Sequence, residues 1–179
     1  MPTNNFDPPG FTWHGPPPKR PLFIPIYRAP IRGVVCAVGL TPKIWGCMTH
    51  FVDLRTIPCT GDNCKHCHSQ VARWRGFIGC WSDATQRKCI LEVTAGAVDA
   101  CGPDIWDAPY SFRGRVLTLS RRTARKHSPV QLLISSERRD ESQLVGEVDV
   151  VAALRRIWSI PGDPFIPSEN LRPIAEQET

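Results

Sequence analysis

Three cysteines in one polar loop carry the clearest chemical signal in this chain. Cys64 and Cys67 have the Cys-x2-Cys spacing, at which two thiolates can bind one ion from a single tight turn while backbone amides support the sulfurs. Cys59 lies five residues before Cys64, across a Gly-Asp turn. The neighbouring residues are Gly, Asp, Asn, Lys and His, which is not the pattern of a buried core. The sequence therefore predicts one structural Zn2+ ion.

Structural zinc takes a fourth ligand, and three histidines compete for that place. His50 lies at the end of a predicted strand, on the side opposite to Phe51, so its side chain can point towards the cysteine loop. We favour His50. His68 is the alternative, although it directly follows Cys67 and could fold back only with strain, and His66 is expected to be exposed.

The other cysteines are of a different kind, because each lies singly in an apolar run where cysteine behaves as a small hydrophobic residue. No secretory signal or membrane-length apolar stretch is evident, so we expect a cytoplasmic protein. In a reducing compartment, dense cysteines indicate a metal rather than disulfides. The five cysteines not assigned to metal are Cys36, Cys47, Cys80, Cys89 and Cys101.

The ligand types argue against catalysis at the metal. A zinc deaminase needs a His-x-Glu sequence followed by Pro-Cys-x-x-Cys, and only Pro58-Cys59 is present here. A hydrolytic metal normally keeps an open position and uses histidine and carboxylate ligands. The sequence also has no glycine-rich phosphate loop. We therefore expect no catalytic residues and a protein that is not an enzyme.

Basic residues form a second concentration between two predicted strands. The chain has a formal charge of +5, yet acidic residues outnumber basic ones in residues 137–179, and none occurs in residues 108–136. Such a basic run can bind phosphates in a strongly salt-dependent way, whereas the alternative is a strand edge kept soluble by arginine. The predicted nucleic-acid-binding cations of this run are Arg113, Arg115, Arg121, Arg122, Arg125 and Lys126.

Aromatic residues alternate with arginine just after the cysteine loop. Single-stranded nucleic acid is held by flat side chains that stack on bases while cations follow the backbone. One face of each strand must be core, so about half of these aromatic residues are structural, and the pattern leaves open which half. The further candidates for nucleic-acid binding are Trp45, Arg73, Trp74 and Arg75.

A mainly β domain over residues 31–160 would position these groups. Runs rich in β-branched and aromatic residues predict a closed or nearly closed barrel, with tight hairpin turns at residues 41–43 and 83–87. A short helix is expected within residues 95–106, and apolar residues at helical spacing predict a C-terminal helix packed on the barrel around residues 148–158. The predicted strands are residues 31–40, 44–53, 74–82, 88–94, 113–120 and 129–135.

The two ends of the chain differ from this body. Half of the 18 prolines fall in residues 1–30, which predicts an extended arm that is either a linker or a segment lying across the domain. Residues 161–179 are again proline-containing and acidic, and we expect a flexible tail there.

The order His50, Cys59, Cys64, Cys67 within a β barrel with a basic face resembles the zinc subdomain of the single-stranded DNA-binding proteins of T-even bacteriophages. The resemblance covers roughly residues 44–82, and the intervals between ligands are shorter here than in that family. It implies an OB-like barrel of five to six strands, with the zinc loop as an insertion, and a role in DNA replication. The short basic N-terminal segment through which that family binds cooperatively is missing.

Taken together, the sequence predicts a non-enzymatic, zinc-stabilised protein that binds single-stranded DNA with little sequence preference. The sequence does not exclude RNA as a ligand. Replication or recombination proteins could meet the acidic tail, and no membrane partner is expected. The alternative function is a zinc-stabilised protein-interaction or regulatory module, in which the proline-rich arm and the acidic tail make the contacts.

Overall fold

The computed structural model describes residues 24–102, 105 and 111–158. Within them the chain forms one mixed eight-stranded sheet and two α-helices, neither of which is long or apolar enough to cross a membrane. The strands are β1 (Ile26–Tyr27), β2 (Val34–Gly39), β3 (Trp45–Val52), β4 (Arg55–Pro58), β5 (Arg73–Ser82), β6 (Arg87–Thr94), β7 (Arg115–Arg121) and β8 (Val130–Arg138), and the helices are α1 (Ala95–Asp99) and α2 (Val150–Trp158).

Strands β2 and β3 both pair antiparallel with the same edge of β5, so together they form one long bent strand. The residues between them leave the sheet, and the amides of Leu40 and Thr41 both donate to the carbonyl of Gly79. Pro42 has no amide to donate, which favours an interruption at this point. The predicted hairpin turn at residues 41–43 is therefore wrong, because the flanking strands continue along β5 instead of pairing with each other.

The sheet has the order β1-β6-β5-β2-β7-β8, with β3 and β4 branching from β5. The predicted hairpin at residues 83–87 is confirmed, since Ser82 pairs with Arg87. Among the described residues β8 pairs only with β7, and no pairing joins it to β1. The closed barrel is thus wrong for this part of the chain, and the strands number eight rather than five or six.

All six predicted strands are present, with ends that differ by a few residues. The two additional strands are short. Strand β1 has two residues inside the proline-rich arm and pairs parallel to β6, and β4 ends at Pro58 immediately before the cysteine loop. Neither segment is long enough to show the alternation that identifies a strand in a sequence.

Apolar side chains from the two faces of β5 enter two clusters. Ile78 and Cys80 lie in a cluster that also contains α1 residues and the inner side chains of β6 and β7. Phe77, on the other face, packs with Leu154 of α2, and the rings of Phe77 and Trp158 meet edge to face at 5.5 Å. The prediction that a C-terminal helix packs on the sheet is confirmed. The other predicted helix ends at Asp99, earlier than residue 106.

The end of the proline-rich arm lies against the sheet. Ile26 pairs with Ile90 of β6, and Ala29 is buried in the core. Residues 24–30 therefore belong structurally to the domain. The rest of the predicted arm, residues 1–23, and the predicted tail, residues 161–179, lie outside the described residues.

Candidate metal centre and basic cleft

The hairpin formed by β3 and β4 places the first two metal-ligand candidates side by side. A two-residue turn at Asp53 and Leu54 joins the strands, and both residues have positive φ angles, 49° and 63°, as a type I′ hairpin turn requires. His50 is paired with Ile57. The ladder continues past β4, because the amide of Cys59 donates to the carbonyl of Met48 at 2.8 Å.

The loop after β4 brings the other two cysteines back to this hairpin. A single 3-10 turn spans Gly61–Asn63 and begins at a glycine with a φ of 81°. The amide of Cys64 then donates to the carbonyl of Gly61, and the amide of Cys67 donates to the carbonyl of Cys64 at 3.1 Å. The Cys-x2-Cys segment is therefore a hydrogen-bonded turn, as its spacing indicates.

The four ligand atoms of His50, Cys59, Cys64 and Cys67 all lie within 4.8 Å of one another. The Nε2 atom of His50 is 3.4 Å from the sulfur of Cys64 and 3.5 Å from that of Cys67, and the sulfurs of Cys59 and Cys67 are 3.5 Å apart. A tetrahedral zinc with ordinary bond lengths has ligand-to-ligand distances of about 3.5 to 3.8 Å. The sulfur separation is far longer than the roughly 2.05 Å of a disulfide.

The histidine in this group is His50, which is 2% exposed. His68 is exposed and is not part of the group, although the ring of His66 lies 5.8 Å from that of His50. Residues His50, Cys59, Cys64 and Cys67 therefore form a group at metal-binding distances, and their donor set of three sulfurs and one imidazole nitrogen fits a structural metal.

The loop prepares one of its sulfurs for the charged state. Hydrogen bonds from the backbone of Thr60 and of His66 to the Cys64 sulfur lower the pKa of Cys64 to about 5. The neighbouring sulfur of Cys59 and burial raise the pKa of Cys67 to about 11. The chain alone thus favours a thiolate at Cys64 beside a neutral thiol at Cys67, whereas a divalent cation would replace the proton of Cys67.

The remaining cysteines are mostly the small core residues that the sequence indicates. Cys80 and Cys89 are fully buried and face each other across β5 and β6. Burial raises the pKa of Cys47 and of Cys89 to about 12, so these thiols stay neutral. Cys101 is half-buried. Cys36 differs from the prediction, because its side chain lies on the exposed side of β2, close to Thr118.

A cleft of about 960 Å³ adjoins this centre and extends to the turn between β7 and β8. His50 and Phe51 of β3 lie on one side, and residues 126–130 of the β7–β8 turn lie on the other. Glu92 is its single lining carboxylate. The lining cations are Arg28, Arg73, Arg75, Arg121 and Lys126.

These cations divide into free and engaged groups. Arg73 and Lys126 are exposed, and neither has an ion pair with a residue that the structure describes. Arg121 donates from Nε to the carbonyl of Ala29 and from Nη1 to that of Ser128, so it braces the base of the turn. Arg122 and Arg125 are exposed on the same turn without lining the cleft.

Glu92 lines the cleft, and its carboxylate accepts hydrogen bonds from two side chains and forms an ion pair with a third. It is 7% exposed, and it binds the Nε atom of Arg28 at 2.7 Å, the hydroxyl of Thr56 at 2.8 Å and the Nε atom of Arg75 at 3.3 Å. A buried carboxylate needs such partners, because an unpaired one would be strongly destabilising. The network joins the N-terminal segment, β4, β5 and β6.

Two cations of the predicted binding surface lie elsewhere. Arg113 forms an ion pair with Glu141 at 2.9 Å, so an acidic residue from outside the 108–136 run neutralises it. Arg115 donates from Nε to the carbonyl of Ser111 and from Nη1 to the carbonyl of Ser135. Neither side chain lines the cleft, and both stabilise the neighbourhood of β7 and β8 instead.

The two predicted stacking residues also lie outside the cleft lining. Trp45 packs against the cluster that contains Phe77, and Trp74 packs against the opposite core cluster. The Trp74 ring fills the space above Gly46 and Gly76, where an added Cβ would come within 2.5 to 2.6 Å of ring atoms. The structure therefore places Trp74 as a packing residue.

Replacing Trp74 with alanine is accordingly expected to lower the free energy of unfolding by about 3 kcal/mol, the lower end of the range for large aromatic residues, because the ring is partly buried. Denaturant unfolding of the variant measures this loss. Phe51→Ala is the matched control, since Phe51 is 50% exposed and should change stability much less. Equal stability of Trp74→Ala and the parent chain would contradict this packing role.

The cleft residues that the sequence analysis did not predict include Arg28, Phe51 and Glu92. Glu92 gave a usable signal, because it is a lone acid inside the otherwise apolar strand Cys-Ile-Leu-Glu-Val, and a buried carboxylate requires a cationic partner. Arg28 gave none, since its place depends on the parallel pairing of β1 with β6.

No protein-family model, curated protein or solved structure matches this chain. The resemblance to the T-even phage proteins therefore stays a prediction that rests on the pattern His50, Cys59, Cys64, Cys67.

Proposed function

We propose that this chain is a zinc-stabilised, non-enzymatic domain that binds single-stranded nucleic acid, with little sequence preference. The observation that carries the proposal is the cleft, whose lining has five Lys or Arg side chains against one carboxylate. The carboxylate is already satisfied by protein donors, so the cleft presents an excess of positive charge to a ligand. Such a surface attracts the negatively charged phosphodiester backbone of a nucleic acid.

The strand pairing supports an OB-like reading of the sheet. In that interpretation the bent strand β2–β3 is the first strand of the OB-like sheet, followed by β5, β6, β7 and β8, and α1 lies between the third and fourth strands. OB folds bind oligonucleotides between the loop after the first strand and the loop between the fourth and fifth. In this chain the loop after the first strand is the one that carries Cys59, Cys64 and Cys67, and the loop between the fourth and fifth strands is the basic β7–β8 turn. Both loops border the cleft.

We assign the metal as zinc in a structural role. Three cysteine sulfurs and one imidazole nitrogen suit tetrahedral zinc and leave no position for a substrate or an activated water. Such a site would lock the loop onto the β3–β4 hairpin and so fix one wall of the cleft. Thiolate ligands persist in reducing conditions, which agrees with a proposed location in the cytoplasm.

The expected result is that a labelled oligo-dT binds at least about tenfold more tightly than a duplex of the same length, with affinity that falls steeply as salt rises. The reason is that cations along a groove contact the phosphates of one strand, and only an unpaired strand has bases free to stack on aromatic side chains. Fluorescence anisotropy with oligo-dT, duplex DNA and oligo-U at two salt concentrations measures it. Equal affinity for duplex and single strand would refute the groove; no binding, or salt-insensitive binding, would favour the protein-interaction or regulatory module.

A further inference from the structure

Phe51 is an exposed aromatic residue that lines the cleft near the C-terminal end of β3, where it pairs with Thr56 of β4. Its side chain is 50% exposed, whereas Thr49, two residues earlier on the same face of β3, is 3% exposed. A large apolar ring left half in water loses part of the stabilisation that burial would give. The ring also lies at the cleft rather than on a free outer surface.

Arg28 supports this ring from one side. The guanidinium carbon of Arg28 lies 5.2 Å from the centroid of the Phe51 ring, within the range of a cation–π contact. The guanidinium is itself fixed, because its Nε, Nη1 and Nη2 atoms donate respectively to Glu92, to the carbonyl of Leu54 at 3.0 Å and to the hydroxyl of Thr56 at 2.9 Å.

This arrangement separates the cations by task. Each of the three nitrogens of Arg28 donates to a protein acceptor, so we assign Arg28 to holding Phe51 in place. Arg73 and Lys126 line the same cleft, are exposed and have no ion pair with a described residue. A flat ring fixed near available cations is the combination by which proteins hold one unpaired nucleotide.

We propose that Phe51 is a stacking subsite for an unpaired nucleobase, and that Arg28, held by Glu92 and Thr56, positions its ring. The inference rests on the proposed function and adds the residue that contacts the base. A base stacked on Phe51 would leave its sugar and phosphates directed along the cleft, towards the cations of Arg73 and Lys126. Trp45 and Trp74, in contrast, support the sheet.

The test compares two probes of equal length, oligo-dT and an oligomer of abasic deoxyribose phosphates, with three variants of Phe51. Phe51→Ala should weaken oligo-dT binding roughly 5- to 150-fold, the range for loss of one stacked base, while affinity for the abasic oligomer stays unchanged. Phe51→Trp should retain tight binding, because it keeps an aromatic face. Phe51→Leu should lose as much affinity for oligo-dT as Phe51→Ala, because leucine keeps apolar surface but has no aromatic ring.

Met48→Ala is the matched control. Met48 is an exposed apolar residue of the same strand, 43% exposed, but it lies on the opposite side from Phe51 and does not line the cleft. The affinity of the Met48→Ala variant for oligo-dT should equal that of the parent chain. Melting temperatures of all variants, measured on the same samples, exclude unfolding as the cause of a loss.

The outcomes distinguish the subsite from the function on which it rests. Unchanged oligo-dT affinity of Phe51→Ala, or parent-like affinity of Phe51→Leu, would overturn the stacking subsite while the basic cleft remained. An equal loss of affinity for oligo-dT and for the abasic oligomer would also overturn it, because Phe51 would then affect binding of the sugar-phosphate backbone rather than of a base. Failure of the parent chain to bind either probe would instead refute the proposed function itself.

Discussion

Changing Cys64 to serine is expected to remove the metal and lower the melting temperature by about 10 °C or more. Structural zinc in small domains contributes apparent binding free energies of about 10 to 16 kcal/mol, and that energy is folding energy wherever the site exists only in the folded chain. If a third of this, about 3.3 to 5.3 kcal/mol, were lost in a chain of 179 residues, the melting temperature would fall by roughly 7 to 21 °C. Cys64 is buried at the centre of the group, so no other side chain can replace it easily.

Metal analysis and thermal unfolding on the same samples measure this effect. The parent chain should contain one zinc per chain, and Cys64→Ser should contain almost none. Cys36→Ser is the matched control, because Cys36 is an exposed cysteine of the same sheet outside the metal group. Cobalt substitution adds a spectroscopic check, since a tetrahedral site with three thiolates gives strong charge-transfer absorption. Full stability of Cys64→Ser, or parent protein free of zinc when purified without chelator, would contradict the site.

The residues of the proposed metal site and the cleft are connected through β3. His50, at the metal group, is flanked by Thr49 and Phe51, which line the cleft. Loss of the ion would release the loop that follows β4, and with it one anchor of the β3–β4 hairpin. We therefore expect metal-free protein to lose affinity for single strands as well as stability, even though no metal ligand is proposed to contact the nucleic acid.

The strands and the metal ligands could be predicted because their signals are local. A strand such as β6 shows an apolar run bounded by turns, and a Cys-x2-Cys segment forms its turn within four residues. His50 was identified by strand periodicity, which requires only that β3 be continuous. In each case the information lies within a window of about ten residues.

The cleft could not be predicted because it is built by residues far apart in the chain. Arg28 meets Glu92 across 64 positions, and their pairing depends on β1 adding parallel to β6. The error at residues 41–43 has a similar cause, since a turn-like sequence serves there as an outward loop in a continuous strand. Arg113 was expected to be available because Glu141 is outside its sequence neighbourhood.

The proposed function assigns the phosphate contacts to four exposed cations. They lie on or beside the cleft, and none has an ion pair with a described residue. Their removal should cost little folding stability, because exposed charges without partners contribute little to it. The four residues are Arg73, Arg122, Arg125 and Lys126.

Replacing all four with glutamine is expected to weaken binding of oligo-dT about 600-fold at 0.1 M monovalent salt. If each cation neutralises one phosphate of a single strand, each contributes about 0.7 to the slope of log affinity against log salt, which is about fivefold at 0.1 M. The slope itself should fall by about 2.8. Titrations at four salt concentrations measure both quantities.

The control is Arg87→Gln with Lys88→Gln, at the far end of β6, about 23 Å from the Thr94 end that lines the cleft. A similar loss in that control would mean that total charge rather than the cleft attracts the ligand, whereas an unchanged slope in the fourfold variant would show that phosphates are bound elsewhere.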